Sequence, residues 1–158
     1  MPKRILSGIV LLLALGLITL VACSGGTSAP QKAGWVESKI NGDTVSIPAS
    51  KVQNSKIVDF GVSTSAGDMT FMAYWLGGKT YVRASICPPC RSRSFALKGD
   101  KLVCDACGTV FSATTGKGIS GACVAYPKAE VAYGVNGGDI VMKADALTTA
   151  YADTLNPG

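Results

Sequence analysis

From Trp35 onward, apolar and polar residues fall into short runs separated by glycine-rich or Asn/Asp turns, the pattern of strands and not of long helices. Thr44-Val45-Ser46-Ile47-Pro48 follows the turn signal Asn41-Gly42-Asp43, and residues 56–62 form a second β-like run. The clearest hairpin joins 69–76 to 79–86 through Gly77-Gly78, because two glycines between aromatic and β-branched runs fit a two-residue primed turn. Its methionines and aromatics are assigned to core packing, not to a cofactor face. Residues 94–97 and 101–103 flank Lys98-Gly99-Asp100 as a smaller hairpin. A β-like stretch at 108–112 leads through a turn at 114–118 into the loop Gly121-Ala122-Cys123. Residues 130–135 and 140–143 read as another hairpin across Asn136-Gly137-Gly138-Asp139, with Val131, Tyr133 and Val135 on one face. The tail from Asp145 to Leu155 is predicted to be one helix, with Asp145 as N-cap and Asn156-Pro157-Gly158 as its stop. The sum is one mainly β domain over 35–158, antiparallel, with a short C-terminal helix.

The chain before this domain has a different character. Lys3 and Arg4 precede an apolar run over 9–18, and Leu20-Val21-Ala22-Cys23 follows. This ending resembles the lipobox of bacterial lipoproteins, so residues 1–22 are read as a signal peptide and Cys23 as the lipidated anchor; a plain secretory peptide or an uncleaved span is the alternative. The resemblance implies attachment to a membrane through lipid on Cys23, on the extracytoplasmic face. Residues 23–34 have the small, polar composition of a flexible tether. Removing the leader also removes Lys3 and Arg4, which takes the net charge from +5 to +3 and argues against nucleic acid as a partner.

Six cysteines and no histidine bound the chemistry. The missing histidine excludes a His/Cys zinc site, a c-type haem, histidine-ligated iron and a nucleophile paired with histidine. Two C-x2-C knuckles remain, Cys87-Pro88-Pro89-Cys90 and Cys104-Asp105-Ala106-Cys107. Each spacer lets both sulfurs point to one side, so that four soft thiolates can surround a single centre. An iron–sulfur cluster, zinc or mononuclear iron all suit this set, and the pattern is that of a zinc-ribbon-like domain with two cysteine knuckles. Gly108 permits the positive φ that aims backbone amides at sulfur. The first knuckle has Arg91 there and two internal prolines, which predicts a stiffer, less regular turn. Disulfides compete outside the cytoplasm, but a C-x2-C bridge closes a very small loop and stabilises little. Cys123 is an auxiliary ligand, a redox partner of one knuckle, or a buried thiol. Lys79, Arg83, Arg91, Arg93, Lys98 and Lys101 surround the knuckles in sequence against Asp100 and Asp105. Such cations would raise a reduction potential or receive an acidic redox partner. Lys3-Arg4 is not a paired twin-arginine signal, so export in the unfolded state is expected, with any cluster assembled outside the cell.

The cysteine order, followed by Phe111 and Thr115-Gly116, is similar to that of Rieske ferredoxins, with Cys90 and Cys107 standing where those proteins have histidine. That substitution excludes a true Rieske centre. Over about residues 44–143, Gly99-Asp100-Lys101-Leu102-Val103-Cys104-Asp105-Ala106-Cys107-Gly108-Thr109-Val110-Phe111 and the later Gly121-Ala122-Cys123 resemble the FtrD-like family of membrane iron–sulfur proteins, associated with ferrous-iron uptake. The resemblance implies a Rieske-like β domain that carries an iron–sulfur centre and passes electrons at the membrane, linked to iron redox or uptake. The first reading is an electron carrier, with a structural zinc-ribbon binding module of the cell envelope, or a thiol–disulfide redox protein using Cys123 with one knuckle, as alternatives; no paired acids, phosphate loop or nucleophile constellation supports hydrolysis or phosphoryl transfer.

Overall fold

A computed structural model describes residues 29–64 and 67–157; the leader over 1–22 and Cys23 lie outside them. In chain order the elements are β1 (Gln31–Lys32), β2 (Gly34–Trp35), β3 (Lys39–Asn41), β4 (Thr44–Pro48), α1 (Ala49–Ser55), β5 (Ile57–Thr64), β6 (Gly67–Leu76) and β7 (Lys79–Ala84). They continue as β8 (Phe95–Lys98), β9 (Lys101–Cys104), β10 (Val110–Ser112), β11 (Gly118–Ser120), β12 (Tyr133–Asn136), β13 (Asp139–Lys143) and α2 (Ala144–Leu155).

Residues 69–74 of β6 are buried without a break, which a strand shows only when both of its faces are covered. The sheet β2-β5-β6-β7 therefore separates two cores. On one face Val58, Phe60, Phe71, Ala73, Val82 and Ala84 pack with Val45, Ile140, Leu147 and Ala150 from the β12-β13-β4-β3 sheet and α2. On the other, Ile57, Met72, Tyr74 and Tyr81 meet Phe95, Leu97, Leu102 and Phe111 from the β1-β8-β9-β10-β11 sheet, and Cys87, Cys104 and Cys123 belong to this second core. Alternation with period two sends successive residues to opposite cores. The expected hairpins β6–β7, β8–β9 and β12–β13 are present, with Gly77, Gly78, Gly99, Gly137 and Gly138 at positive φ in their turns.

Several local expectations are corrected. Gln31–Lys32 pairs with β8 and Gly34–Trp35 runs parallel to β5, so the last residues of the 23–34 tether belong to the fold. Both strands are exposed and held by backbone bonds, and apart from Trp35, where the strand pattern begins, their residues carry no apolar signal. The helix α1 was hidden because only Val52 of it is buried. Lys143, not Asp145, is the N-cap of α2; Asp145 sits in the first turn, where its carboxylate accepts from the Ala146 N–H at 2.7 Å. Val131 is buried but Val135 is 67% exposed, because β12 runs out beyond the core.

Arg83, expected among the cations tuning the centre, is a buried clamp instead. Its guanidinium donates to the Tyr74 hydroxyl, the Lys128 and Thr114 carbonyls and the Glu130 carboxylate, each at 2.8–2.9 Å. Tyr74 in turn donates to the Ala113 carbonyl. These bonds tie β7 to the loops that precede and follow β11. Replacing Arg83 by methionine keeps apolar bulk but strips those acceptors of their donor, and the expected loss is ~3–5 kcal/mol of stability. Urea denaturation of the metal-free chain checks this; a loss under ~1 kcal/mol would show that the clamp does not hold the loops.

Candidate metal centre

The two knuckles are built alike. In the first, which begins three residues beyond the end of β7, the Cys87 N–H donates to the Ser92 carbonyl at 2.8 Å; in the second, the Cys104 N–H donates to the Thr109 carbonyl at 2.9 Å. Gly108 has φ 68° and Arg91 has φ 58°, so each knuckle closes on a left-handed residue; the second also has the Gly108 N–H donating to the Cys104 carbonyl at 2.9 Å, a bond without a counterpart in the first among the described residues, as the expectation of a less regular first turn has it. Arg91 holds a conformation that glycine adopts freely, at a cost of about 1 kcal/mol. The β8–β9 hairpin sets the knuckles face to face by pairing Phe95 with Cys104, and the Asp105 N–H donates to the Ser94 carbonyl at 3.1 Å.

The sulfurs of Cys87, Cys90, Cys104 and Cys107 all lie within 4.8 Å of one another. Cys90 and Cys104 are 3.7 Å apart. A single ion with metal–sulfur bonds near 2.3 Å has a tetrahedral edge of about 3.8 Å, so the four thiols fit one centre with small adjustments. Cys87 and Cys104 are buried, Cys90 is half-buried and Cys107 is exposed, so the set is graded from core to surface.

The loop from β10 towards β12 closes over this set. Gly121 has φ 110°, and a Cβ there would stand 2.7 Å from the Cα and Oγ1 of Thr109; one on Gly116 would stand 2.1 Å from the Lys128 carbonyl oxygen. Those close approaches bring Cys123 to 3.8 Å from the Cys107 sulfur. The Cys123 N–H and the Cys107 thiol both donate to Thr109 Oγ1, each at 3.2 Å; when Cys107 ionises, the Thr109 hydroxyl can donate to its sulfur instead.

Two buried charged groups that the sequence does not single out lie next to the segments that carry the knuckles. Lys128 is buried, and its Nζ donates to the Ile86 carbonyl, next to Cys87, at 2.7 Å. Nothing in Pro127-Lys128-Ala129 distinguishes it from a solvated lysine. Asp59 is buried on β5, 3.3 Å from the Ser85 hydroxyl, which is also 3.0 Å from the Arg93 carbonyl. The ring of cations expected from sequence is mostly elsewhere: Arg83 is the clamp, Lys79 pairs with Glu130 at 3.7 Å, and Lys98 and Lys101 lie at the far end of the β8–β9 hairpin. Arg91 and Arg93 remain exposed at the first knuckle.

Burial pushes the Cys87 and Cys104 thiols up. At Cys107 slight burial acts upward too, but hydrogen bonds from the Thr109 side chain and backbone, with help from Cys104 and Cys90, outweigh it and bring the thiol down to about 6. Burial lowers Lys128, against the opposing pull of Cys87, Cys104, Cys123 and Cys90. Burial also raises Asp59 from the ordinary 3.8 to about 7, against hydrogen bonds from Ser85 and Ser94.

Residues 52–152 match the family described as membrane iron-sulfur containing protein FtrD-like. The chain belongs to this family. Among solved structures it is similar to one chain of the complex of reduced oxygenase and oxidized ferredoxin in carbazole 1,9a-dioxygenase, at 21% identity and a TM-score of 0.54, covering 66% of this chain and 95% of that one. The plasma membrane Rieske protein PetC3 from the cyanobacterium Synechocystis PCC 6803 aligns at 22% identity and a TM-score of 0.46, covering 61% and 95%. No curated protein matches. The fold is thus Rieske-like and mainly β, as the cysteine order led us to expect. Family and thiol constellation together point to metal binding and electron transfer, and the family description points to a membrane setting. No helix among the described residues is long and apolar enough to cross a membrane.

Two outcomes are expected. In the metal-free chain, iodoacetamide labelling of Cys107 follows its thiolate and has a midpoint near pH 6; Thr109→Val moves the midpoint upward, and an unmoved one would remove Thr109 as the cause. For Asp59, the folded carboxyl binds a proton that the unfolded chain has released between about pH 3.8 and 7, so wild-type stability is full below that window and falls as pH rises through it. Asp59→Asn removes that fall and is more stable than wild type at pH 8, by up to ~4 kcal/mol. Parallel pH–stability curves for the two proteins would contradict this.

Proposed function

We propose that Cys87, Cys90, Cys104 and Cys107 hold an iron–sulfur cluster and that the chain carries electrons at the extracytoplasmic face of a membrane, anchored by lipid on Cys23. The observation that carries the reading is the convergence of four sulfurs from two matched knuckles within 4.8 Å, in a chain of an iron–sulfur family. When bound, the cluster supplies one-electron chemistry. Buried Cys87 and Cys104 anchor the centre in the second core, while exposed Cys107 gives the edge at which a redox protein partner approaches. Arg91 and Arg93, exposed on the adjoining knuckle, favour a partner with an acidic face. Cys123, beside Cys107, serves as an auxiliary ligand or redox partner of the site. Iron redox or uptake is the setting that the sequence resemblance implies.

One observation favours a second reading. The sulfur spacing suits the tetrahedron of one ion, whereas a two-iron cluster divides the thiolates between two irons and spreads the knuckles further apart. A single iron would keep the electron-transfer role. A single zinc would make the site structural and the chain a binding module.

Metal and acid-labile sulfide analysis with a visible spectrum, on the full chain purified without oxygen, tests this. Iron with sulfide and a band bleached by dithionite is expected, and both are lost in Cys104→Ser. Iron without sulfide selects the single-iron reading, and one colourless zinc per chain the structural one. Absence of any metal would sink all three. Cys23→Ser is expected to move the chain from the membrane fraction to the soluble one, and unchanged fractionation would remove the lipid anchor.

A further inference from the structure

Among the described residues two cations are almost completely buried, Arg83 and Lys128, each 1% exposed. Arg83 has the Glu130 carboxylate at 2.9 Å. Lys128 has no carboxylate within salt-bridge distance among the described residues. Its ammonium donates to the Ile86 carbonyl and lies 4.6 Å from the ring centroid of Phe111 and 5.5 Å from that of Phe95. One carbonyl dipole and two ring faces do not neutralise a buried charge. The groups whose charge would oppose the cost of burying it, once they are ionised, are the sulfurs of Cys87, Cys104, Cys123 and Cys90. The chain also goes to some length to place it: Gly116 admits the Lys128 carbonyl where a side chain would collide, and Arg83 grips the same carbonyl at 2.8 Å.

We propose that Lys128 is a resident counter-cation of the four-cysteine centre, a positioning residue whose buried charge holds the anionic, loaded state and sets how readily it takes up an electron. This rests on the reading that the four cysteines bind a metal or cluster. Four thiolates around a divalent ion carry net negative charge, and an added electron increases it; a fixed cation in a poorly screened core stabilises each step. The converse holds without metal. Protonated thiols give Lys128 nothing to offset, so the same lysine is a burden on the metal-free fold. A lysine that only packed or donated to Ile86 would act with the same sign on both states.

The test compares the full chain with Lys128→Met and Lys128→Gln, the second of which keeps a donor for the Ile86 carbonyl but no charge, and with Lys128→Arg as the charge-keeping variant. Cobalt(II) affinity by chelator competition, urea stability of the metal-free chain, and dithionite titration of the iron-loaded chain are measured. Both neutral variants are expected to bind cobalt at least ~10-fold more weakly while their metal-free forms are as stable as wild type or more so, with Lys128→Arg near wild type in affinity. Their reduction equilibrium shifts toward the oxidised form by ~10-fold, about 59 mV for one electron. Wild-type loading with unchanged affinity and potential in the neutral variants overturns the counter-cation role alone, as does a Lys128→Gln with wild-type affinity beside a weakened Lys128→Met. A wild-type chain that takes up neither cobalt nor iron overturns the cysteine reading and this proposal together.

Discussion

Because β6 is buried on both faces, the sheet it belongs to must support one core towards α2 and another towards the strands that carry the cysteines. The second core would otherwise be too small to seat two knuckles rigidly. With Tyr74, Met72 and Ile57 as its floor and Phe95, Leu102 and Phe111 as its opposite wall, Cys87 and Cys104 become core residues in their own right. Their burial fixes the inner half of the site, while Cys90 and Cys107 complete it nearer the surface. The gradient from core to surface follows from where the two knuckles leave their strands.

Burial on that scale has an electrostatic consequence. Each inner thiol resists ionisation, and nearby charge decides how far that resistance is offset. Lys128 and Asp59, both inside the fold, are placed by separate devices: the first by glycine contacts and the Arg83 clamp, the second by Ser85, whose hydroxyl also reaches the carbonyl of Arg93. Arg83 thus acts at one remove. One of its four hydrogen bonds holds the Lys128 carbonyl and another the Thr114 carbonyl, while its own charge is matched by Glu130.

The fold has Rieske-like architecture with an altered donor set. In the proposed centre, Cys90 and Cys107 would be two anionic ligands where the resemblance to Rieske ferredoxins implies neutral imidazoles, which would make the centre more negative and increase its need for positive charge close by. A buried ammonium answers that need without relying on surface residues whose fields salt would screen. The same substitution removes the imidazole protons, so Asp59 is the group near the first knuckle that titrates near neutral pH.

The sequence by itself determined the strand pattern, the hairpin turns and the pair of cysteine knuckles, because alternation, Gly-Gly turns and C-x2-C spacing are local properties that neighbouring residues impose on one another. It also marked Gly121-Ala122-Cys123 as a loop, and the structure shows why glycine stands there, since it permits a backbone approach to Thr109 that other residues block. The edge strands β1 and β2 escaped notice because backbone bonds hold them and their side chains face solvent. Tertiary structure alone decided which charges belong to the site. Arg83 left it and Lys128 and Asp59 entered it, although Arg83 is four residues from Cys87 in sequence and Lys128 forty-one. The reason is physical: a charge acts through distance and local dielectric, and both are set by which loops the fold stacks over the cysteines.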